Sequence, residues 1–243
     1  MKIVKVKDYE ELSQKAAAYF IQKIKQTPTL TLGLATGSTP EGMYRYLVKD
    51  HEENKTSYRK VKTFNLDEYY GLNGTDKNSY RYFMNQHLLH HIDIELTNAH
   101  VPYGDVQKSD VECATYEQLI KQHGGIDLQL LGIGANGHIG FNEPGSSFES
   151  RTRVVKLTEK TRQDNARFFN GIDEVPTHAL TMGLGTIMES KEIVLIASGA
   201  GKKDTMRILL SGKISPDFPA SVLHGHPNIT VMADEEALAG IQI

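Results

Sequence analysis

The chain has 243 residues, 39% of them hydrophobic and 23% charged, with a net charge of −3. It is long enough to bury a real core, too apolar for disorder to dominate, and lacks the bulk positive charge of a nucleic-acid binder. Cys113 is the only cysteine, which excludes an internal disulfide and a cysteine-held metal cluster.

In chain order, KIVKV at residues 2–6 predicts a strand and YEELSQKAAAYFIQKIK at 9–25 a helix. The N-terminus mixes charge with apolar residues, unlike the continuous apolar stretch of a signal peptide, and no run approaches a bilayer span. The chain therefore reads as cytoplasmic, with no membrane partner. TLTLGLA at 29–35 predicts a strand, PEGMYRYLVKDHEEN at 40–54 a helix, and VKTFNL at 61–66 a strand. NSYRYFMNQHLLHHI at 78–92 predicts a helix capped by Asn78 or Ser79, and DVECATYEQLIKQHG at 110–124 a helix closed by Gly124. IDLQLLGIG at 126–134 and TRVVKL at 152–157 predict strands, and TEKTRQDNARFF at 158–169 a helix with Thr158 as its cap. EIVLIAS at 192–198 is a strand, KKDTMRILLSG at 202–212 a helix ending at Gly212, and ITVMA at 229–233 the last strand. This alternation predicts an α/β fold with a mainly parallel sheet, because parallel strands need crossover connections. No linker, repeat or low-complexity tract interrupts it, so residues 1–243 read as one domain.

Ligands of open α/β sheets bind beyond the carboxyl ends of the strands, and four predicted strand ends carry unusual residues. TGSTPEG follows the second strand: Gly37 permits a tight turn, Ser38 offers a hydroxyl, and Thr39 caps a helix with Pro40 as its first residue. Free N–H groups there attract phosphate, although an ordinary strand–turn–helix junction uses the same residues. Asp67 and Glu68 follow VKTFNL. A carboxylate desolvated at a strand end becomes a stronger base; a turn aspartate bonding its own backbone is the competing reading. GAGKKD places Lys202 near a helix start without the spacing of a nucleotide-triphosphate loop, so a phosphate on a small molecule fits better.

The fourth loop is GIGANGHIGFNEPG, residues 132–145, in which Gly132, Gly134 and Gly137 fit the dinucleotide pattern G-x-G-x-x-G. That pattern needs a following helix, and Gly140, Pro144, Gly145 and two serines argue against one. The glycines instead read as thin backbone that lets a ligand approach. His138 and Glu143 are five residues apart, and a carboxylate accepting the imidazole N–H would fix its tautomer and raise its basicity. Downstream, Arg151, Arg153, Arg162 and Arg167 either close over a phosphate or solvate a surface helix. LHGHP imitates a metal pair, but no third ligand stands nearby, so no metal is expected.

The combination of NLDEYYGL, GIGANGHIGFNEPGSSFESRTR and LGLATGSTPEG resembles the glucosamine-6-phosphate deaminase family, over nearly the whole chain. The resemblance implies a Rossmann-like three-layer α/β/α fold, related in outline to ribose-5-phosphate isomerase. It implies conversion of glucosamine 6-phosphate and water to fructose 6-phosphate and ammonia, with no cofactor. Asp67 then resembles the base that moves a proton between C2 and C1. His138, supported by Glu143 and oriented by Asn136, resembles the acid/base that opens the pyranose ring. Gly37, Ser38, Thr39, Arg167 and Lys202 resemble the phosphate site, and Tyr80 with residues 151–180 part of a mobile lid.

Two departures stand out. Asn136 occupies a position where some members of the family carry aspartate, so it can orient His138 but cannot hold a negative charge there. The chain stops at Ile243, whereas longer relatives add a segment for a hexamer and an allosteric site, and Val155 and Lys156 differ from the allosteric pattern. A monomer or small homo-oligomer without strong activation by N-acetylglucosamine 6-phosphate is expected. The rival readings are a 6-phosphogluconolactonase-like hydrolase, which has no need of Asp67 as a carbon base, and a non-catalytic sugar-phosphate sensor.

Overall fold

The computed structural model describes residues 1–242; Ile243, at which the sequence reading ends the domain, lies outside them. The elements are β1 (Lys2–Val6), α1 (Tyr9–Gln26), β2 (Thr31–Leu34), α2 (Ser38–Asn54), β3 (Lys62–Asn65), β4 (Asp67–Tyr69), α3 (Tyr80–His87), β5 (Ala99–His100) and α4 (Ser109–Gln122). They continue with β6 (Leu128–Leu131), β7 (Arg153–Lys156), α5 (Glu159–Asn165), β8 (His178–Thr181), α6 (Leu184–Met188), β9 (Glu192–Ala197), α7 (Lys203–Leu210) and β10 (Ile229–Asp234).

Seven strands form one parallel sheet in the order β1-β10-β9-β6-β2-β3-β5. Every residue of β2, β6, β9 and β10 is buried, as expected of strands covered by helices on both faces. The result is the three-layer α/β/α arrangement. From β2 the chain moves outward to β3 and β5, then returns to lay β6 on the other flank of β2. That reversal opens a crevice at the carboxyl ends of β2 and β6. The loops that emerge there are the glycine-bearing segments beginning at Ala35 and at Gly132.

A second, antiparallel sheet of order β4-β8-β7 stands beside the first. It pairs Asp67 with Thr181, and Thr181 with Arg153. Asp67 therefore opens a three-residue strand rather than a turn. A strand that short shows no periodicity in sequence, which is why only its neighbour β3 was predicted. A separate small core of Tyr69, Phe141, Leu157, Val175 and Ala179 fastens this sheet, with Tyr80 and Phe169 packed against it.

Several predicted boundaries shift for local reasons. α2 starts at Ser38, with Gly37 as the N-cap at φ 100 and no side-chain cap, so Thr39 lies inside the first turn. Ser79, not Asn78, caps α3 by accepting from Tyr82 N at 3.0 Å. The helix predicted over 78–92 ends at His87 and continues as a 3-10 turn at Leu89–His91. Thr158 caps α5 as expected, but that helix ends at Asn165 and tightens into a 3-10 turn at Ala166–Phe168.

Candidate active site

A cavity of about 460 Å³ fills the crevice between β2 and β6. Gly37, Ser38, Thr39, Asp67, Gly132, Gly134, His138, Thr161, Asp164, Asn165, Arg167, Ser198 and Lys202 all line it. Seven of the ten expected site residues thus line one cavity, from five separate segments of the chain. Asn136 and Glu143 stand behind His138. Tyr80 does not reach the cavity: its hydroxyl lies 3.4 Å from that of Tyr69 and its ring stacks on Phe141, within the small core under the second sheet. Its aromatic ring is better served by that apolar packing than by a phosphate.

On one side the cavity meets the first turn of α2. With no side chain capping this helix start, the N–H groups after Gly37 remain available to an anion. A Cβ on Gly37 would meet nothing within 4 Å, but its φ of +100 belongs to glycine. Across the cavity Lys202 donates to the Ile133 carbonyl at 2.7 Å, which aims its stem over the loop after β6. Burial holds the Lys202 pKa below its ordinary value, Asp164 opposes that shift and Arg167 adds to it. The exposed Arg167 guanidinium sits 4.7 Å from the Phe168 ring centre. The other arginines of this segment are engaged elsewhere. Arg151 pairs with Glu189 at 2.7 Å, Arg153 donates to Asn142 Oδ1 at 2.9 Å, and Arg162 donates to the carbonyls of Ile172 and Val175.

Asp67 forms the floor and is only 6% exposed. Burial, reinforced by the charge of neighbouring Glu68, pushes its carboxyl up to about 8, the direction a general base near neutral pH requires. Glu68, 1% exposed, faces away from the cavity and accepts from the backbone N–H groups of Tyr69, Tyr80 and Arg81. Burial nonetheless outweighs those three donors and raises Glu68 to about 7. Glu68 thereby pins the start of α3 beside Asp67.

His138 works through a relay. Its Nδ1 lies 2.7 Å from Asn136 Oδ1, and Asn136 Nδ2 donates to Glu143 Oε2 at 2.7 Å. Nδ1 is 3.9 Å from Glu143, so the direct imidazole–carboxylate bond expected from sequence is replaced by one mediated by an amide. An ionised glutamate only accepts hydrogen bonds, so the Asn136 amide must turn its NH₂ toward Glu143 and its oxygen toward His138. Nδ1 then carries the imidazole proton, and Nε2 is left as a free base. Burial lowers the His138 pKa, with Glu143 opposing and Lys202 assisting, which favours that neutral form.

The glycines serve the histidine as much as any ligand. A Cβ on Gly134 would lie 2.1 Å from His138 Cε1 and 2.3 Å from both ring nitrogens. A Cβ on Gly137 would strike the Phe218 ring at 2.4 Å. Only at Gly132 would a Cβ find open space among the three glycines of the pattern. His224 and His226 of LHGHP are engaged with the carbonyls of Leu209 and Ser190, at 2.6 and 2.8 Å.

Sequence reading passed over Thr161, Asp164, Asn165 and Ser198. Ser198 was detectable as the last residue of the strand EIVLIAS. The α5 residues carried no signal beyond an ordinary helix start.

The chain matches the family model described as glucosamine-6-phosphate isomerases/6-phosphogluconolactonase over residues 7–232. It is 55% identical to a glucosamine-6-phosphate deaminase of Halalkalibacterium halodurans, covering all of this chain and 99% of that one. It is 52% identical to glucosamine-6-phosphate deaminase 1 of Bacillus subtilis, covering 98% of each. Among solved structures, one described as a monomeric glucosamine-6-phosphate deaminase superposes with a TM-score of 0.96 at 52% identity over 98% of both chains. A 6-phosphogluconolactonase from Trypanosoma cruzi shares the fold, with a TM-score of 0.81 at 21% identity over all of this chain and 97% of that one. The chain therefore belongs to the glucosamine-6-phosphate isomerase/6-phosphogluconolactonase family.

Proposed function

We propose that the protein converts glucosamine 6-phosphate and water to fructose 6-phosphate and ammonia. One observation carries this reading: Asp67 and His138, a buried carboxylate and an imidazole with a free Nε2, open onto one cavity that also meets a helix start without a side-chain cap. Relatives that bear the deaminase name at 52–55% identity along the full chain support it.

The substrate's phosphate sits at the start of α2, between the Gly37–Thr39 turn and the cations Arg167 and Lys202. His138 Nε2 takes the proton of the C1 hydroxyl and returns a proton to the ring oxygen, so the pyranose opens to the aldehyde. Asp67 then removes the proton from C2 and delivers it to C1, while O1 takes up the proton that the 2-amino group gives up in becoming the imine. The aldehyde carbon becomes CH₂OH and C2 becomes an imine. Water adds to C2 and ammonia leaves, yielding the ketose. Each transfer is between positioned groups, and no hydride moves.

Residues 1–243 act as one domain in this reading, and residues 151–180 as its lid. Leu157, Val175 and Ala179 of that segment pack with Tyr69 and Phe141 outside it, which supports a lid anchored at its base. A relative described as monomeric supports a monomer, and a sugar-phosphate substrate fits a cytoplasmic setting.

Ammonia release from glucosamine 6-phosphate tests the reading, run in deuterated water to follow exchange at C2. Release with exchange is expected, with hyperbolic kinetics unaffected by N-acetylglucosamine 6-phosphate. Hydrolysis of 6-phosphogluconolactone without C2 exchange would identify a lactonase instead. Light scattering checks the monomer.

A further inference from the structure

We infer that Thr161 is a positioning residue that ties the docking of α5 to the His138 relay, so that the imidazole is set for ring opening when the segment carrying Arg167 is seated. The inference rests on the deaminase reading for the step it controls.

Glu143 is gripped from two sides. Its Oε2 accepts from Asn136 Nδ2 at 2.7 Å, within the loop after β6. Its Oε1 accepts from the Thr161 hydroxyl, on the first turn of α5. Thr161 is held in turn: its backbone N–H donates to Thr158 Oγ1 at 3.1 Å, and the two hydroxyls lie 3.0 Å apart. The Thr158 hydroxyl is 3.4 Å from the same glutamate oxygen. Because each hydroxyl has one proton, the consistent arrangement is Thr158 donating to Thr161 and Thr161 donating to Glu143. Thr161 is only 3% exposed.

A glutamate carboxylate turns easily about its last torsion. Held at one oxygen only, it can rotate away from Asn136, and the amide that fixes the imidazole tautomer loses its anchor. The hydroxyl of Thr161 removes that freedom. The same short helix brings Asp164 and Asn165 to the cavity, and the turn after it brings Arg167. An anion that draws Arg167 inward therefore seats the helix whose first turn locks Glu143. Substrate binding at one end of the cavity and proton transfer at the other share one rigid element.

Thr161→Val keeps the shape and removes the hydroxyl; Thr161→Ser keeps the hydroxyl and removes a methyl. Steady-state kinetics with glucosamine 6-phosphate should show kcat falling about tenfold or more in T161V with KM changed less than about threefold, and T161S staying within about twofold of the unsubstituted protein. Nitrogen-15 NMR of the imidazoles, with His138→Gln to assign the signal, should show the Nδ1–H tautomer in the unsubstituted protein and T161S, and a mixture in T161V. Unchanged kcat and tautomer in T161V, or an equal loss in T161S, would overturn the coupling. If the unsubstituted protein releases no ammonia, the deaminase reading fails, while the imidazole signals still decide the coupling.

Discussion

The side-chain oxygen of Asn136 lies 2.7 Å from Nδ1 of His138. An aspartate at this position would place a negative charge there, and an amide does not. His138 faces Glu143, Lys202 and Asp164, and burial dominates their combined effect by holding its pKa below the ordinary value of 6.5. Asn136→Asp adds an attractive charge at hydrogen-bond distance, so the imidazolium gains stability and the pKa moves up. NMR titration of His138 should show a rise of about one unit or more. A pKa that stays put would mean that the new carboxyl is protonated, because Glu143 beside it opposes a second charge. Asn136→Ala, which breaks the relay outright, should lower kcat by roughly 10–100-fold.

In the proposed mechanism Asp67 is the carbon base, and its burial carries a cost in stability. Its ordinary pKa of 3.8 is raised to about 8 by burial and by Glu68, and Glu68 itself rises to about 7. For an acid whose pKa rises on folding, the favourable contribution is complete below the unfolded value and is lost as pH climbs through the folded one. Stability should therefore fall between pH 4 and pH 8. Asp67→Asn removes the charge that must be buried. Turnover should drop by about 1,000-fold or more with substrate affinity nearly retained, while the unfolding free energy rises, by an amount on the order of a few kcal/mol above pH 8. Urea denaturation at pH 5 and pH 8.5 checks the sign: a gain that shrinks at the higher pH contradicts the assignment.

The parallel sheet was legible in the sequence because TLTLGLA, LQLL and EIVLIA are predominantly apolar runs between amphipathic helices. The site was legible because Asp67, His138 and the TGST turn follow strand ends, where chemistry collects in such folds. The second sheet was not, since β4 has three residues and its partner β8 lies more than a hundred residues away in sequence. The relay was legible in part: sequence placed Glu143 within reach of His138 and Asn136 where it can orient the ring, but only the turn geometry decides that the Asn136 amide comes between them. Tyr80 shows the opposite failure: a residue near a site in sequence and in space that packs into an aromatic core.

Gly134 separates a ligand-shaped reading of the glycine loop from a histidine-shaped one. A methyl at this position would overlap the imidazole, at 2.1 Å from Cε1, far inside any real contact. Gly134→Ala should displace His138 and lower kcat by about 100-fold or more, with a stability loss of roughly 1–3 kcal/mol from overpacking. Gly132→Ala, where a Cβ meets open space, should fold normally and act mainly on KM. Kinetics of the two variants side by side provide the check; equal kcat losses would show that the loop responds as a unit and that the ring contact is not the deciding one.

In the proposed reading, Arg167 and Lys202 contribute to affinity through the phosphate and not to the proton transfers. Both line the cavity, on the side of α5 and of the loop before α7. A charge-assisted hydrogen bond contributes about 1.5–3 kcal/mol, so losing one should raise KM by roughly 10–100-fold. Arg167→Gln and Lys202→Met should therefore weaken glucosamine 6-phosphate, and their KM should depend less steeply on salt than that of the unsubstituted protein. Residual turnover of unphosphorylated glucosamine should not change with Arg167→Gln. Lys202 needs a control, because it also donates to the Ile133 carbonyl at 2.7 Å, in the loop that holds His138. Lys202→Arg keeps a donor and a charge. If K202M slows glucosamine as much as its phosphate while K202R restores both equally, Lys202 acts by holding the loop and the phosphate assignment passes to Arg167 and the start of α2.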